Sequence, residues 1–232
     1  MLHKILVDKF EFISQIVSTL LLAASAIYGI AVSFKKKSIL FAQIIASGLA
    51  CLALGNIFTL MLRITAPEEI KNSLTNGFNI GMLGVFGFFI FIFSAAFGQI
   101  DGLGDDRSKA MRKYRIIGIL AVVPVIVSVV LIVLSPIGDT LKIVYAILYL
   151  PAALASYYNL KHLILPDVDL GIIACIRKYN LFMLITTGII LLSTVLKVYQ
   201  LTALYGISVI LLGIMGFLLV ISAKRGAERW FS

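Results

Sequence analysis

The amino-acid sequence predicts an all-α polytopic membrane protein, a seven-transmembrane-helix bundle with its N-terminus outside and its C-terminus in the cytoplasm. The composition is the first reason: 61% of the 232 residues are hydrophobic and 13% are charged, with a mean hydropathy of +1.07. Soluble proteins carry about 25% charged residues. The second reason is a series of apolar runs separated by short polar segments, each run near the roughly 20 residues that a helix needs to cross a bilayer.

Each apolar run is long enough to span the hydrocarbon core as a helix. The predicted spans are 12–34, 38–62, 76–99, 116–134, 141–164, 179–199 and 203–222. With their connections they form a single transmembrane domain over residues 1–232, without a soluble domain. We therefore expect any catalytic, kinase or DNA-binding output to lie on another polypeptide.

The distribution of lysine and arginine predicts the orientation. Connections rich and poor in basic residues alternate along the chain, beginning with Lys35, Lys36 and Lys37 after the first span. Because basic loops remain in the cytoplasm, an odd number of helices with an external N-terminus follows. The net charge of +9 is interpreted as an orientation signal and an attraction to anionic membrane lipids, and not as a nucleic-acid interface. The expected location is the bacterial cell (cytoplasmic) membrane.

Two predicted spans carry stripes of polar and aromatic residues on one face. At 100° per residue, the members of each stripe fall within about 80° on the fifth helix and about 60° on the sixth. The stripes are Tyr145, Tyr149, Ser156 and Asn159 on the fifth helix, and Thr186, Ser193, Lys197 and Gln200 on the sixth. Because polar groups that face lipid are unsatisfied, we expect both stripes to face the bundle interior.

The outer half of the second helix adds Asn56, Thr59 and Arg63 on one face. With Lys142 and Lys197 also near the outer surface, we expect a cationic and aromatic opening suited to an anionic or amphiphilic ligand. The alternative is that Arg63 and Lys197 reach to lipid headgroups and that the hydroxyls bond backbone carbonyls. The predicted ligand-binding residues are Asn56, Thr59, Arg63, Tyr145, Tyr149, Ser193 and Lys197.

Two cytoplasmic connections, 101–115 and 166–178, place acidic residues before basic ones. The acidic residues can cap the helix that follows, and the basic residues lie where that helix meets the headgroups. We interpret the basic residues either as a docking surface for a cytoplasmic protein or as simple membrane anchoring. The predicted docking residues are Arg107, Lys109, Arg112, Lys113, Arg177 and Lys178.

The third span has small residues along one line, including Gly77, Gly81 and Gly84. This spacing predicts close backbone packing against a neighbouring helix. A hinge at Gly84 and Gly87 is the alternative.

No nucleophile, base and orienting group are spaced to cooperate, so we predict no enzymatic activity, cofactor or metal. The acidic residues all lie in loops or at helix ends, which argues against a proton-coupled pump. Two functions remain: a sensor or receptor-like module that binds a ligand from outside and signals to a separate cytoplasmic partner, or a small solute or lipid carrier or membrane subunit of a transport complex. We favour the first. Its layout is similar to that of many receptor-type proteins, including the sensor regions of bacterial histidine kinases.

Overall fold

A computed structural model describes residues 2–34, 40–65, 80–98, 111–165 and 175–231, and these residues contain seven helices. Their bounds lie close to the predicted spans, with α1 and α7 continuing well beyond them. The helices are α1 (Leu2–Ser33), α2 (Leu40–Thr65), α3 (Ile80–Phe97), α4 (Arg112–Leu134), α5 (Asp139–Ile164), α6 (Arg177–Val198) and α7 (Thr202–Phe231).

Six of these helices are long and apolar enough to cross a membrane, and α3 is shorter. With 18 residues, α3 is roughly 27 Å long at 1.5 Å per residue, near the lower limit for a span. The described helices form a bundle compatible with a multi-pass integral membrane protein. The seventh span and the orientation of the termini stay predictions.

Proline shapes two of the helices. In α4, a 3₁₀ turn over Leu120–Val122 ends two residues before Pro124 and joins the segments Arg112–Ile119 and Val123–Leu134. In α5, Pro151 lies inside the helix. Because proline has no N–H to donate, it removes an intrahelical hydrogen bond at each position.

Six helices form a closed ring in the order α1, α2, α3, α5, α6 and α7, with α7 packing back on α1. Helix α4 lies outside this ring and packs mainly on α5, with α6 as a second neighbour. Neighbours in the chain run in opposite directions, as three contacts show. Glu11 near the start of α1 contacts Arg63 near the end of α2, Gly55 of α2 lies against Gly81 at the start of α3, and Arg177 at the start of α6 contacts Leu165 just after α5. We call the end of the bundle with Glu11 and Arg63 the Arg63 end, and the opposite end the Arg177 end.

The half of the ring nearer the Arg177 end is filled with large apolar side chains. They come from four ring helices, and each is at most 1% exposed. These residues are Ile45, Leu49, Phe88, Phe89, Ile92, Met183 and Leu219. Phe88 and Phe89 of α3 therefore belong to the core.

The predicted close packing of α3 is confirmed at Gly84. A Cβ atom on Gly84 would lie 2.6 Å from the Cys51 carbonyl oxygen and 2.7 Å from the Gly55 Cα, so the two backbones are in direct contact. A Cβ on Gly55 would likewise lie 2.6 Å from the Gly81 carbonyl oxygen. Gly77 lies outside the described residues. This contact fixes α2 against α3 beside the cavity described next.

Candidate functional site

A cavity of about 120 Å³ lies inside the six-helix ring. The lining residues belong to the half of each helix nearer the Arg63 end, apart from Leu52 at the midpoint of α2. The polar and aromatic lining consists of Gln15 from α1, Asn56 and Thr59 from α2, Tyr145 and Tyr149 from α5, Ser193, Thr194 and Lys197 from α6, and Tyr205 from α7. Apolar residues and Gly55 and Gly81 complete the wall. The peripheral helix α4 contributes no lining residue.

The structure brings six of the seven predicted ligand-binding residues to this one cavity. Asn56, Thr59, Tyr145, Tyr149, Ser193 and Lys197 all line it. Arg63 does not line the cavity but bonds Gln15, which does. Ligand binding by these residues stays a prediction.

Gln200 departs from the predicted stripe because α6 ends at Val198. Its φ of 56° is in the left-handed region. The N–H of the next residue, Leu201, donates to the Leu196 carbonyl at 2.8 Å. Gln200 therefore terminates the helix, in the manner usual for glycine.

The hydroxyl and amide donors of the lining mostly bond their own helices. The Asn56 amide donates to the Leu52 carbonyl at 2.9 Å and the Thr59 hydroxyl to the Gly55 carbonyl at 2.9 Å. The Ser193 and Thr194 hydroxyls donate to the Ile190 carbonyl at 2.8 and 3.0 Å. These bonds agree with the alternative given in the sequence analysis, in which the hydroxyls bond backbone carbonyls. These hydroxyls therefore present mainly oxygen lone pairs to the cavity.

An ion pair spans α1 and α2 beside the cavity. Arg63 Nη1 lies 2.8 Å from Glu11 Oε1 and donates to Gln15 Oε1 at 2.9 Å. The guanidinium also lies 5.5 Å from the centre of the Phe12 ring. Arg63 is thus held by three residues on one face of α1, namely Glu11, Phe12 and Gln15, of which Glu11 and Gln15 are one turn apart.

The positive charge expected at this end is reduced by pairing. Besides Arg63, Lys142 forms an ion pair with Asp139 at 3.1 Å. Lys197 is the remaining cation of the three, and it forms no ion pair within the described part of the chain. Its ammonium lies close enough to the Tyr145 hydroxyl for the two groups to interact electrostatically. The charge available to a ligand is therefore centred on Lys197.

Three tyrosines line the cavity together with Lys197. The rings of Tyr145 and Tyr149 are 6.2 Å apart on successive turns of α5. The Tyr149 hydroxyl is buried and has no hydrogen bond of normal length within the described residues, although Thr194 is near enough to interact with it. Tyr205 closes the α7 side. Aromatic walls around one cation suit a small molecule with a polar group at one end.

The predicted docking residues lie at the Arg177 end where they are described. Arg112, Lys113 and Lys178 are exposed, whereas Arg177 is half-buried and donates to the Leu165 carbonyl. Arg107 and Lys109 lie outside the described residues. Arg177 therefore joins the start of α6 to the end of α5, and three exposed basic residues remain for a partner or for lipid headgroups.

Four residues of the site were missed at the sequence level: Glu11, Gln15, Thr194 and Tyr205. Gln15 is an amide inside a predicted span and was detectable by the same reasoning that identified Asn56. Glu11 lies one residue before the predicted span, so only the fold reveals that it meets Arg63.

Searching the described residues finds no group of three or more His, Cys, Asp or Glu side chains able to hold a metal ion. The chain matches no known family model, and no curated protein or solved structure matches it at a significant level.

Proposed function

We propose that this protein is a seven-helix sensor or receptor-like membrane protein that binds a small anionic ligand in the ring cavity. In this proposal the ligand reaches the site from the Arg63 end, which is the outer side by the positive-inside rule. A separate cytoplasmic partner then responds at the Arg177 end.

The observation that supports the proposal most is the one-sided position of the cavity. Its lining lies in the half nearer the Arg63 end, apart from Leu52 at the midpoint of α2, and the other half of the ring is filled by side chains such as Leu49, Phe89 and Met183. A site with one approach and a packed floor is suited to binding and release on the same side. In this proposal, ligand binding moves the surrounding helices, and this movement carries the signal to the Arg177 end.

The size and charge of the cavity define the ligand class. Its volume of about 120 Å³ is somewhat below the roughly 150 Å³ that accommodates benzene. Lys197 supplies a positive charge, and Tyr149 supplies a buried hydroxyl. A carboxylate of about six heavy atoms fits this volume and this charge by the same comparison.

A thermal-melting comparison of small carboxylates with their amides tests the proposal. Purified full-length protein is melted with acetate, lactate or butyrate, and with acetamide, lactamide or butyramide. A ligand at about 100 times its Kd adds about 2.7 kcal/mol to stability, which raises the melting temperature measurably. We expect at least one carboxylate to stabilise the protein more than its amide.

The variant Lys197→Gln supplies the matched test of charge, with Lys142→Gln as its control. Both lysines lie at the Arg63 end, but Lys142 already pairs with Asp139. We expect the preference for carboxylate to disappear in Lys197→Gln and to persist in Lys142→Gln. Equal melting with acids and amides, or an unchanged preference in Lys197→Gln, contradicts the proposal.

The signalling part of the proposal depends on the exposed basic residues of the Arg177 end. A photo-crosslinking amino acid at Lys178 is expected to capture a cytoplasmic protein in cells that naturally express the chain. The same group at Ile207, an exposed apolar position near the start of α7, is expected to capture lipid. If both positions capture only lipid, Arg112, Lys113 and Lys178 act as membrane anchors and the partner is excluded at this surface.

A carrier is the second candidate, and the ring order favours it specifically. Triplets α1–α2–α3 and α5–α6–α7 each pack in chain order, run in the same directions and meet at α3–α5 and α7–α1, with α4 outside. Two triplets related by an axis along the membrane normal are an arrangement found in transporters. Uptake of the stabilising carboxylate into liposomes by this chain alone would establish a carrier. Binding without uptake would favour the receptor.

A further inference from the structure

A second group of polar side chains lies in the Arg177 half of the bundle, away from the cavity. Asn159, Tyr179 and Asn180 are each 0% exposed. Among the described residues, neither amide atom of Asn180 has a hydrogen-bond partner, and the same holds for the Tyr179 hydroxyl and for Asn159 Oδ1. We call these three residues the Asn180 cluster.

The helix contacts place Asn159 and Asn180 within about one helical turn of each other along the α5–α6 interface. Arg177 bonds the Leu165 carbonyl and so joins the start of α6 to the end of α5. From that contact, Asn180 is three residues along α6 and Asn159 six residues back along α5, or about 4.5 and 9 Å along the axes. The two helices pack on each other.

The two asparagines extend the faces that line the ring cavity. On α5, Asn159 shares the face of Tyr145 and Tyr149, at about 100° per residue. On α6, Asn180 lies two heptads before Thr194, which puts both on one side of the helix. The cluster therefore faces the bundle interior, below the floor of the cavity, and not lipid.

The neighbouring groups are already engaged. The Asn159 amide nitrogen donates to the Ala155 carbonyl at 2.7 Å. The Tyr179 ring packs edge-on against Phe41, with 5.0 Å between ring centres. Lys161 and His162 are buried on the same part of α5 and have interactions of their own. What remains at the cluster is two amide oxygens, one amide nitrogen and one phenol.

Buried polar atoms in folded proteins nearly always have hydrogen-bond partners, and where protein atoms supply none, a small bound molecule does. The unpartnered groups here include both acceptors and donors, and they carry no charge. We propose that the Asn180 cluster is a second binding site, for a small uncharged molecule that both donates and accepts hydrogen bonds, of which water is the smallest. This site is separate from the cavity and does not depend on its ligand.

Radiolytic hydroxyl labelling of the full-length protein tests the proposal with water as the probe, because buried side chains are oxidised only beside bound water. Tyr179 is compared with Phe89, which is equally buried but lies among apolar side chains. We expect Tyr179 to be labelled several-fold faster than Phe89. We also expect most of this labelling to be lost in Asn180→Leu, a substitution of similar volume.

The direction of the stability change provides the second measurement. If the cluster holds a molecule, Asn180→Leu lowers the melting temperature because that molecule's hydrogen bonds are lost. If no molecule is bound at the Asn180 amide, the same substitution raises the melting temperature, because it removes an unsatisfied polar group. Should Asn180→Leu fail to fold, Asn159→Leu takes its place. The proposal is overturned by labelling of Tyr179 no faster than that of Phe89, by labelling unchanged in the variant, or by a raised melting temperature.

Discussion

The α2–α3 contact and the α5–α6 contact flank the same cavity but are built differently. At α2–α3, Gly55 and Gly84 let the backbones touch, with no space even for a methyl group. At α5–α6, the only α6 glycine, Gly188, has nothing within 4 Å, and the interface instead carries Asn159, Asn180 and the hydroxyl groups of α6. The first contact is a rigid frame, whereas the second supplies polar groups that can exchange partners. Ligand chemistry is therefore expected on the α5–α6 side.

Substituting Gly84 is expected to have the largest effect, because it breaks the rigid side. In Gly84→Ala the new Cβ would lie 2.6 Å from the Cys51 carbonyl oxygen, so α2 and α3 must separate. We expect the variant to lose about 1–3 kcal/mol of stability, as overpacked cores do. Melting of the purified protein measures this loss.

Gly188→Ala is the matched control, since an added methyl group there meets no atom within 4 Å. It should melt at or slightly above the temperature of the unsubstituted protein, because alanine favours the helix. Similar melting of Gly84→Ala and Gly188→Ala would show that α2 and α3 are not in backbone contact.

Breaking the Glu11–Arg63 ion pair is expected to have a smaller effect. It tests whether the rigid frame formed by α2 and α3 extends to α1. The exposed fractions of the two side chains are 24% and 32%, so part of their attraction is screened by solvent. A double-mutant cycle with Glu11→Gln and Arg63→Gln is expected to give a coupling energy of about 1 kcal/mol.

The Asp139–Lys142 pair at the same end provides the comparison for that cycle. Asp139 is 93% exposed, and we expect its coupling with Lys142 to be close to zero. If the two cycles give the same coupling, the Glu11–Arg63 pair contributes nothing specific to the joining of α1 and α2.

Gln200→Gly is expected to have the smallest effect, a gain in stability at the end of α6. With φ at 56°, Gln200 occupies a conformation that glycine adopts without steric cost. We expect about 1 kcal/mol of added stability. Gln200→Ala retains the Cβ and should give no gain, and a higher melting temperature in both variants would mean that the left-handed conformation is not the cause.

Much of this arrangement could be predicted from the sequence, because a bilayer imposes simple rules. Apolar run length predicted the described helices, and the requirement to shield polar groups from lipid predicted that Asn56, Tyr149 and Ser193 face inward. Both rules act within one helix, so each can be read from local sequence.

The sequence could not show which helices pack against one another. Nothing local shows that α4 lies outside the ring, that Glu11 meets Arg63, or that Phe88 and Phe89 fill the core and do not face lipid. These facts depend on which helices pack together. Small differences in packing decide that, and hydrophobic attraction between helices is weak in lipid. The positive opening was overestimated for the same reason, since two of its three cations pair with carboxylates from elsewhere in the bundle or chain.

Cysteine accessibility at neighbouring α6 positions tests most directly whether a polar cavity lies inside the ring. Cys51 and Cys175 are first replaced by alanine, and Ser193→Cys is compared with Leu192→Cys. Ser193 lines the cavity, whereas Leu192, one residue away at the same depth, is 52% exposed on the outer surface of the bundle. Because thiolates form in water and not in lipid, a small charged methanethiosulfonate reagent should modify Ser193→Cys much faster than Leu192→Cys. Equal modification of the two positions, or faster modification of Leu192→Cys, would contradict the account.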